Sequence, residues 1–132
     1  MQTIKNNYEA RIEVEKSKFI GLLFPLNKEE DFKEMLKSLQ KEHKKARHIV
    51  YAYRIGTKSK SNDDGEPKGT AGRPLLELLH KKDLNNLVLF VVRYFGGTKL
   101  GAGRLLRTYV SAGVEAINKA ELIELELKNV WM

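Results

Sequence analysis

The chain has 132 residues, a length that suits one domain with a single hydrophobic core. Its hydrophobic content of 42% is that of a globular protein and not of a disordered one, and the absence of cysteine excludes both disulfide frameworks and thiolate metal sites. The net charge is +7, no apolar run approaches the roughly 18 residues of a membrane span, and Met1 to Tyr8 carries no apolar signal core, so a soluble cytoplasmic protein is expected.

Ala10, Ile12 and Val14 alternate with charged residues and predict a half-buried strand. Phe19 to Phe24 reads as its hairpin partner, ended by Pro25. Asn27, with Glu30 three residues on, has the form of a capping box. It precedes Phe32, Met35, Leu36 and Leu39 at helical spacing, with acids at the helix start and lysines at its end, as the macrodipole favours. Ile49, Tyr51, Tyr53 and Ile55 alternate as a third strand, stopped by Gly56. Gly56 to Gly69 reads as a long polar loop whose length marks it as a candidate functional segment. Pro74 fits the first turn of a short helix that buries Leu75, Leu78 and Leu79. Leu87 to Val92 is apolar on both faces and predicts a central strand covered on both sides. A glycine-rich loop from Gly96 to Gly103 leads into the last long helix, with a predicted buried stripe of Leu106, Tyr109, Val110, Gly113, Val114 and Ile117. Glu121 to Lys128 alternates weakly, as a final edge strand would. The order β-β-α-β-α-β-α-(β) points to a single α+β domain, one mixed sheet with helices packed against it.

Charge is unevenly placed. Between Glu42 and Asp63 lie six basic residues and no acid; between Asp83 and Glu115 lie Arg93, Lys99, Arg104 and Arg107, again with no acid. Such blocks either create a positive field that draws in phosphates or an acidic protein face, or serve as solvated surface. The segment Arg93-Tyr94-Phe95-Gly96-Gly97-Thr98-Lys99-Leu100-Gly101-Ala102-Gly103-Arg104 runs from a buried strand through glycines into a helix start. Glycines permit sharp turns and close approach to a ligand, and a helix N-terminus offers unpartnered N–H groups to an anion. Lys99, Arg104 and Arg107 add positive charge, the last two on one helix face. The segment is not a Walker loop, because Ala102-Gly103 stands where Lys-Ser/Thr is required, and not G-x-G-x-x-G, because Leu106 occupies the last position. A plain strand-to-helix turn is the alternative.

A second segment, Ser61 to Pro74, carries Asp63, Asp64 and Glu66 with Lys68 and Arg73. Three carboxylates in four residues can face a hard cation or a basic partner, or belong to an exposed turn; EF-hand spacing is absent. His43, His48 and His80 lack metal-ligand spacing and read as surface or sheet residues. Ser111 lies mid-helix without the first glycine of a nucleophile elbow. Residue chemistry assigns no catalytic residue, no metal and no cofactor.

Together the two segments are specific where each alone is not. Asp63-Asp64-Gly65-Glu66-Pro67, Gly69-Thr70-Ala71-Gly72, Arg93-Tyr94-Phe95-Gly96-Gly97 and Lys99-Leu100-Gly101, with Lys18-Phe19-Ile20-Gly21 and Tyr51-Ala52-Tyr53-Arg54, resemble the signature of the IMPACT/YigZ family from about residue 8 to 120. The resemblance implies the family's N-terminal domain, a β-α-β sandwich similar to domain IV of elongation factor G. For eukaryotic relatives it implies binding to a large ribosome-associated activator of a stress-responsive translation kinase; for bacterial ones, ribosome or nucleic-acid association. This sequence departs from the family pattern at Arg104, where glycine is usual, and at Lys68, where serine is common. The run Ala46-Arg47-His48-Ile49-Val50 lacks the cysteine often found there, so no thiol mechanism is open to this chain. Bacterial relatives carry a second, ferredoxin-like domain that a chain ending at Met132 is expected to lack.

The expected function is therefore a non-enzymatic binding domain in translation or its regulation. Its partner is expected to be the ribosome, RNA or a ribosome-associated protein, and not a membrane. The expected binding residues are Arg93, Gly96, Gly97, Lys99, Gly101, Gly103, Arg104 and Arg107, beside the acidic loop of Asp63, Asp64, Glu66, Lys68 and Arg73. The alternative is a small phosphate-handling enzyme in which the three carboxylates hold a cation beside the glycine loop.

Overall fold

A computed structural model describes residues 1–126. In chain order the elements are β1 (Gln2–Thr3), β2 (Tyr8–Val14), β3 (Ser17–Pro25), α1 (Glu29–Glu42), β4 (His48–Ile55), β5 (Lys58–Asn62), α2 (Gly72–Lys81), β6 (Leu87–Tyr94), α3 (Ala102–Lys119) and β7 (Ile123–Glu124). The domain is α+β, as expected. The sheet, however, is not mixed: its order is β2-β3-β6-β4-β5 and every pairing is antiparallel. The α1 crossover does bring β4 back parallel to β3, but the two never touch, because β6 inserts between them and runs against both.

Side-chain alternation divides the core into two layers. Val50 and Ala52 of β4 and Leu87, Leu89 and Val91 of β6 face α2 and α3, while Ile49, Tyr51, Tyr53, Val88, Phe90 and Val92 face α1. That explains why Leu87 to Val92 is apolar throughout. β6 is the middle strand, buried on both faces.

Several local expectations are corrected. Asn27 does not cap α1; the N-cap is Lys28, without a side-chain bond, and Asn27 instead accepts a hydrogen bond from Asn86. The long loop after Gly56 contains β5, an exposed edge strand whose polar sequence, KSKSN, carries no alternation signal. Gly56, at φ +59°, forms a two-residue hairpin turn with Thr57. The expected last edge strand shrinks to β7, which pairs with β1 in a separate two-stranded sheet, and positions 127 and 128 lie outside the described residues.

The buried stripe of α3 is Leu105, Thr108, Tyr109, Ala112, Gly113, Ala116 and Ile117, so Leu106 points outward. The helix sits so close to the sheet that, between Tyr109 and Ile117, the small residues Ala112, Gly113 and Ala116 occupy the contact. A Cβ at Gly21 of β3 would lie 2.6 Å from the Ala112 carbonyl oxygen, and one at Gly113 would lie 2.9 Å from a Leu78 methyl carbon. Gly21→Ala is therefore expected to lower stability by about 1–3 kcal/mol, the usual cost of overpacking. A denaturation midpoint equal to that of the parent would contradict this close approach.

Candidate functional site

Strand register assembles the first part of the site. Arg93 ends the buried run of β6 and lies directly opposite Phe19 of β3 and His48 of β4. All three belong to the face that α3 covers, and Tyr109 of α3 is fully buried above them. The Arg93 guanidinium carbon is 5.5 Å from the Phe19 ring centroid and 5.8 Å from that of Phe95. A cation held this deep needs an anion.

Glu66 is that anion. Its Oε2 accepts from Arg93 Nη1 at 2.7 Å and from the Tyr109 hydroxyl at 2.5 Å, and its Oε1 is 3.4 Å from His48 Nε2. The Glu66 side chain is 4% exposed and that of Arg93 is 7%. Burial, reinforced by the Glu66 carboxylate, pushes the Tyr109 phenol far above its ordinary value, which keeps it a neutral donor. His48 Nδ1 meets the Asp64 carbonyl at 2.5 Å, and since a carbonyl only accepts, that nitrogen carries the proton.

The remaining residues of the acidic segment hold Glu66 in place. Asp63 accepts from the backbone N–H groups of Gly69, Ala71 and Gly72, which caps the start of α2 from outside the helix. Asp64 accepts from the Ile49 N–H at 2.7 Å, tying the loop to β4. Gly72 lies against β5; a Cβ there would be 2.6 Å from the Asn62 carbonyl oxygen. The three carboxylates thus have three separate structural tasks. Among the described residues no group of three acids or histidines is arranged to hold a metal ion, so Asp63, Asp64 and Glu66 do not form the cation cluster that the alternative enzymatic reading requires. Lys68 is exposed, and Arg73, also exposed, pairs along α2 with Glu77 at 3.5 Å.

The glycine loop passes beside this pair, and its glycines differ in purpose. Gly96 is pressed against the β2–β3 turn: its N–H donates to Ser17 Oγ, and a Cβ would clash with the Lys16 carbonyl group. Gly97 and Gly101 adopt φ +95° and +81°, with open space where a side chain would be. Gly101 is the N-cap of α3, makes no side-chain cap, and is followed by a first turn without an acid. Between the two loops lies a cleft of about 470 Å³, lined by Arg47, His48, Glu66, Pro67, Arg93, Phe95, Lys99, Leu100, Gly101, Ala102 and Leu105. The Arg47 guanidinium stacks over Phe95 at 4.6 Å from the ring centroid. Three basic side chains face one carboxylate. A larger cavity of about 670 Å³ on the α1 side, beside His43 and Tyr94, is lined by Arg11 and Lys18 and by Glu13 and Glu42, and has no such surplus.

The expected site is therefore brought together in part. Arg93, Lys99, Gly101 and Glu66 share the cleft. Arg104 and Arg107 do not line it: Arg104 binds Glu15 of the β2–β3 turn at 3.2 Å, and Arg107 lies back along α3 toward Gly103. Arg47, His48 and Phe95 were not expected. Arg47 belongs to the acid-free block before Asp63, but only strand register reveals that His48 stands beside Arg93.

Residues 15–117 match the Impact N-terminal domain. The chain belongs to the Impact family. It is 42% identical over 131 residues to the IMPACT family member YvyE of Bacillus subtilis, a match that covers 97% of this chain and 60% of that one. A crystal structure of a hypothetical protein superposes with a TM-score of 0.88 and 31% identity, over 92% of this chain and 62% of that one. The two-domain translational regulator Yih1 superposes with a TM-score of 0.53 and 25% identity, over 90% and 47%. The chain thus spans about half to three-fifths of the length of these relatives.

In this Impact domain the signature carboxylates should act first on stability. Glu66→Ala strands Arg93 in the interior and is expected to cost about 3–5 kcal/mol, whereas the paired replacement Glu66→Leu with Arg93→Met should recover most of the loss. A urea denaturation in which Glu66→Ala costs no more than an exposed pair, under about 1 kcal/mol, would contradict the burial. Asp63→Ala should cost about 1–2 kcal/mol, the worth of a strong helix cap.

Proposed function

We propose that this domain is a non-enzymatic binding module of translational regulation, and that it meets a ribosome-associated partner at the cleft between the Asp63–Gly72 loop and the glycine loop. The observation that carries the reading is charge. Arg47, Arg93 and Lys99 line the cleft against Glu66 alone, and Glu66 is already bonded to Arg93. Arg47 and Lys99 are exposed, so a partner can reach them. Family context supports the setting, since the neighbour Yih1 is a translational regulator. A binding role is favoured over catalysis because Asp63, Asp64 and Glu66 are each committed to internal bonds, which leaves none of them free as a base. No helix among the described residues is long and apolar enough to cross a membrane.

The test is co-sedimentation of the purified chain with ribosomes across a salt series. The parent is expected to sediment at low salt and to be released as salt rises. Arg47→Ala with Lys99→Ala removes two exposed cleft charges without touching the core. It should weaken association at every salt concentration, and for an RNA partner flatten the log–log salt slope by about 1.4–1.8 units, at 0.7–0.9 per contact. Sedimentation identical to the parent would overturn the placement of the partner at this cleft.

A further inference from the structure

The chemistry of the cleft narrows what it holds. Resting on the binding role proposed above, we infer that the cleft is a pocket for a phosphate monoester, filled by the 5′-phosphate of a nucleotide.

Three independent features converge on one place. The first is the start of the 18-residue helix α3, whose opening N–H groups receive no side-chain cap and no first-turn carboxylate. The second is Arg93. Its side chain is 7% exposed and lines the same cleft, and its Nε is the one buried side-chain nitrogen or oxygen among the described residues that lacks a hydrogen-bond partner. A buried donor left unmade is costly and calls for an explanation, of which a bound ion is one. The third is the pair of exposed cations, Lys99 and Arg47, at the rim.

Charge selects the ligand class. Arg47, Arg93 and Lys99 against Glu66 leave a surplus of two positive charges before His48 is counted. A carboxylate or a phosphodiester brings one negative charge, whereas a phosphate monoester brings about 1.5 to 2 at neutral pH, with three acceptor oxygens. Of these the monoester matches the surplus most closely. The surroundings then favour a nucleotide as its carrier. Arg47, already flattened against Phe95, presents a guanidinium plane of the kind on which bases stack. The cleft, at about 470 Å³, has room beyond a bare phosphate, with Leu100 and Leu105 as apolar walls.

The experiment is a titration of the full chain followed by backbone amide and arginine Nε resonances. Its probes are inorganic phosphate, adenosine 5′-monophosphate, the methyl diester of that nucleotide, and O-phosphoserine. Phosphate and the nucleotide should shift Ala102, Gly103 and Arg93 Nε saturably. The nucleotide should bind about tenfold more tightly than phosphate, one base-stacking contribution. The diester should bind about tenfold more weakly than the monoester, having lost a charge-assisted contact. Lys99→Glu alters an exposed residue and should keep the fold while weakening the nucleotide by at least about tenfold. Absence of saturable shifts at α3, or equal binding of monoester and diester, would overturn the phosphate pocket. Phosphoserine binding more tightly than the nucleotide would overturn the nucleotide assignment. Ribosome association that depends on Lys99 without any phosphate binding would sink this inference and leave the binding role standing. Phosphate binding with ribosome association indifferent to Lys99 would do the reverse.

Discussion

A guanidinium placed at the end of a central strand, under a helix, has left water and must be answered by something fixed. In this domain Arg93 is answered by Glu66, which comes from a loop 27 residues earlier in the chain. Moving two such charges out of water costs several kcal/mol each, and their attraction offsets this only when the remaining hydrogen-bonding capacity is also met. Here Arg93 and Tyr109 share one carboxylate oxygen and His48 Nε2 lies 3.4 Å from the other, while Arg93 Nε is left without a partner. The pair contributes modestly to net stability. Its larger effect is positional, because the loop that carries Glu66 can occupy one place only.

The loop is shaped for that placement. Asp63 gathers the N–H groups at the start of α2, and Asp64 binds the backbone of β4, so both flanks of Glu66 are anchored before its carboxylate reaches the interior. Glycines absorb the unusual geometry at Gly65 and Gly69, both at positive φ, and at Gly72 they admit the neighbouring strand. A segment that resembles a cation loop in composition is thus a scaffold in fact. Its carboxylates point at backbone donors and at one arginine.

How much of this was legible in the sequence depends on the physics behind each feature. The strong periodicities carried through: β2, β3, β4, β6 and the three helices lie where alternation and helical spacing place them. β5 was invisible because its residues, exposed on both faces at a sheet edge, have no reason to alternate. The stripe on α3 was misplaced by one residue because hydrophobicity counts favour Leu106, while close packing selected Ala112, Gly113 and Ala116. In the site, the motifs marked the two loops but not their purpose. Glu66 and Arg93 are 27 residues apart, and nothing in a linear pattern states that they touch. His48 became visible only through the register of β4 against β6.

The same reasoning explains why the cleft, and not the most arginine-rich stretch of helix, carries the functional reading. A charge can recruit a partner only if the fold has not already used it. Arg104 is engaged by Glu15 across the glycine loop, and Arg73 by Glu77 along its own helix. These are exposed pairs of little energetic weight, yet each lowers the local field. Around the cleft the accounting differs. Glu66 is bonded to Arg93 and Tyr109 below, α3 opens without an acid, and Arg47 rests on an aromatic ring that neutralises nothing. The positive potential therefore concentrates where the two signature loops face each other, because among the described residues no second acid lines that cleft.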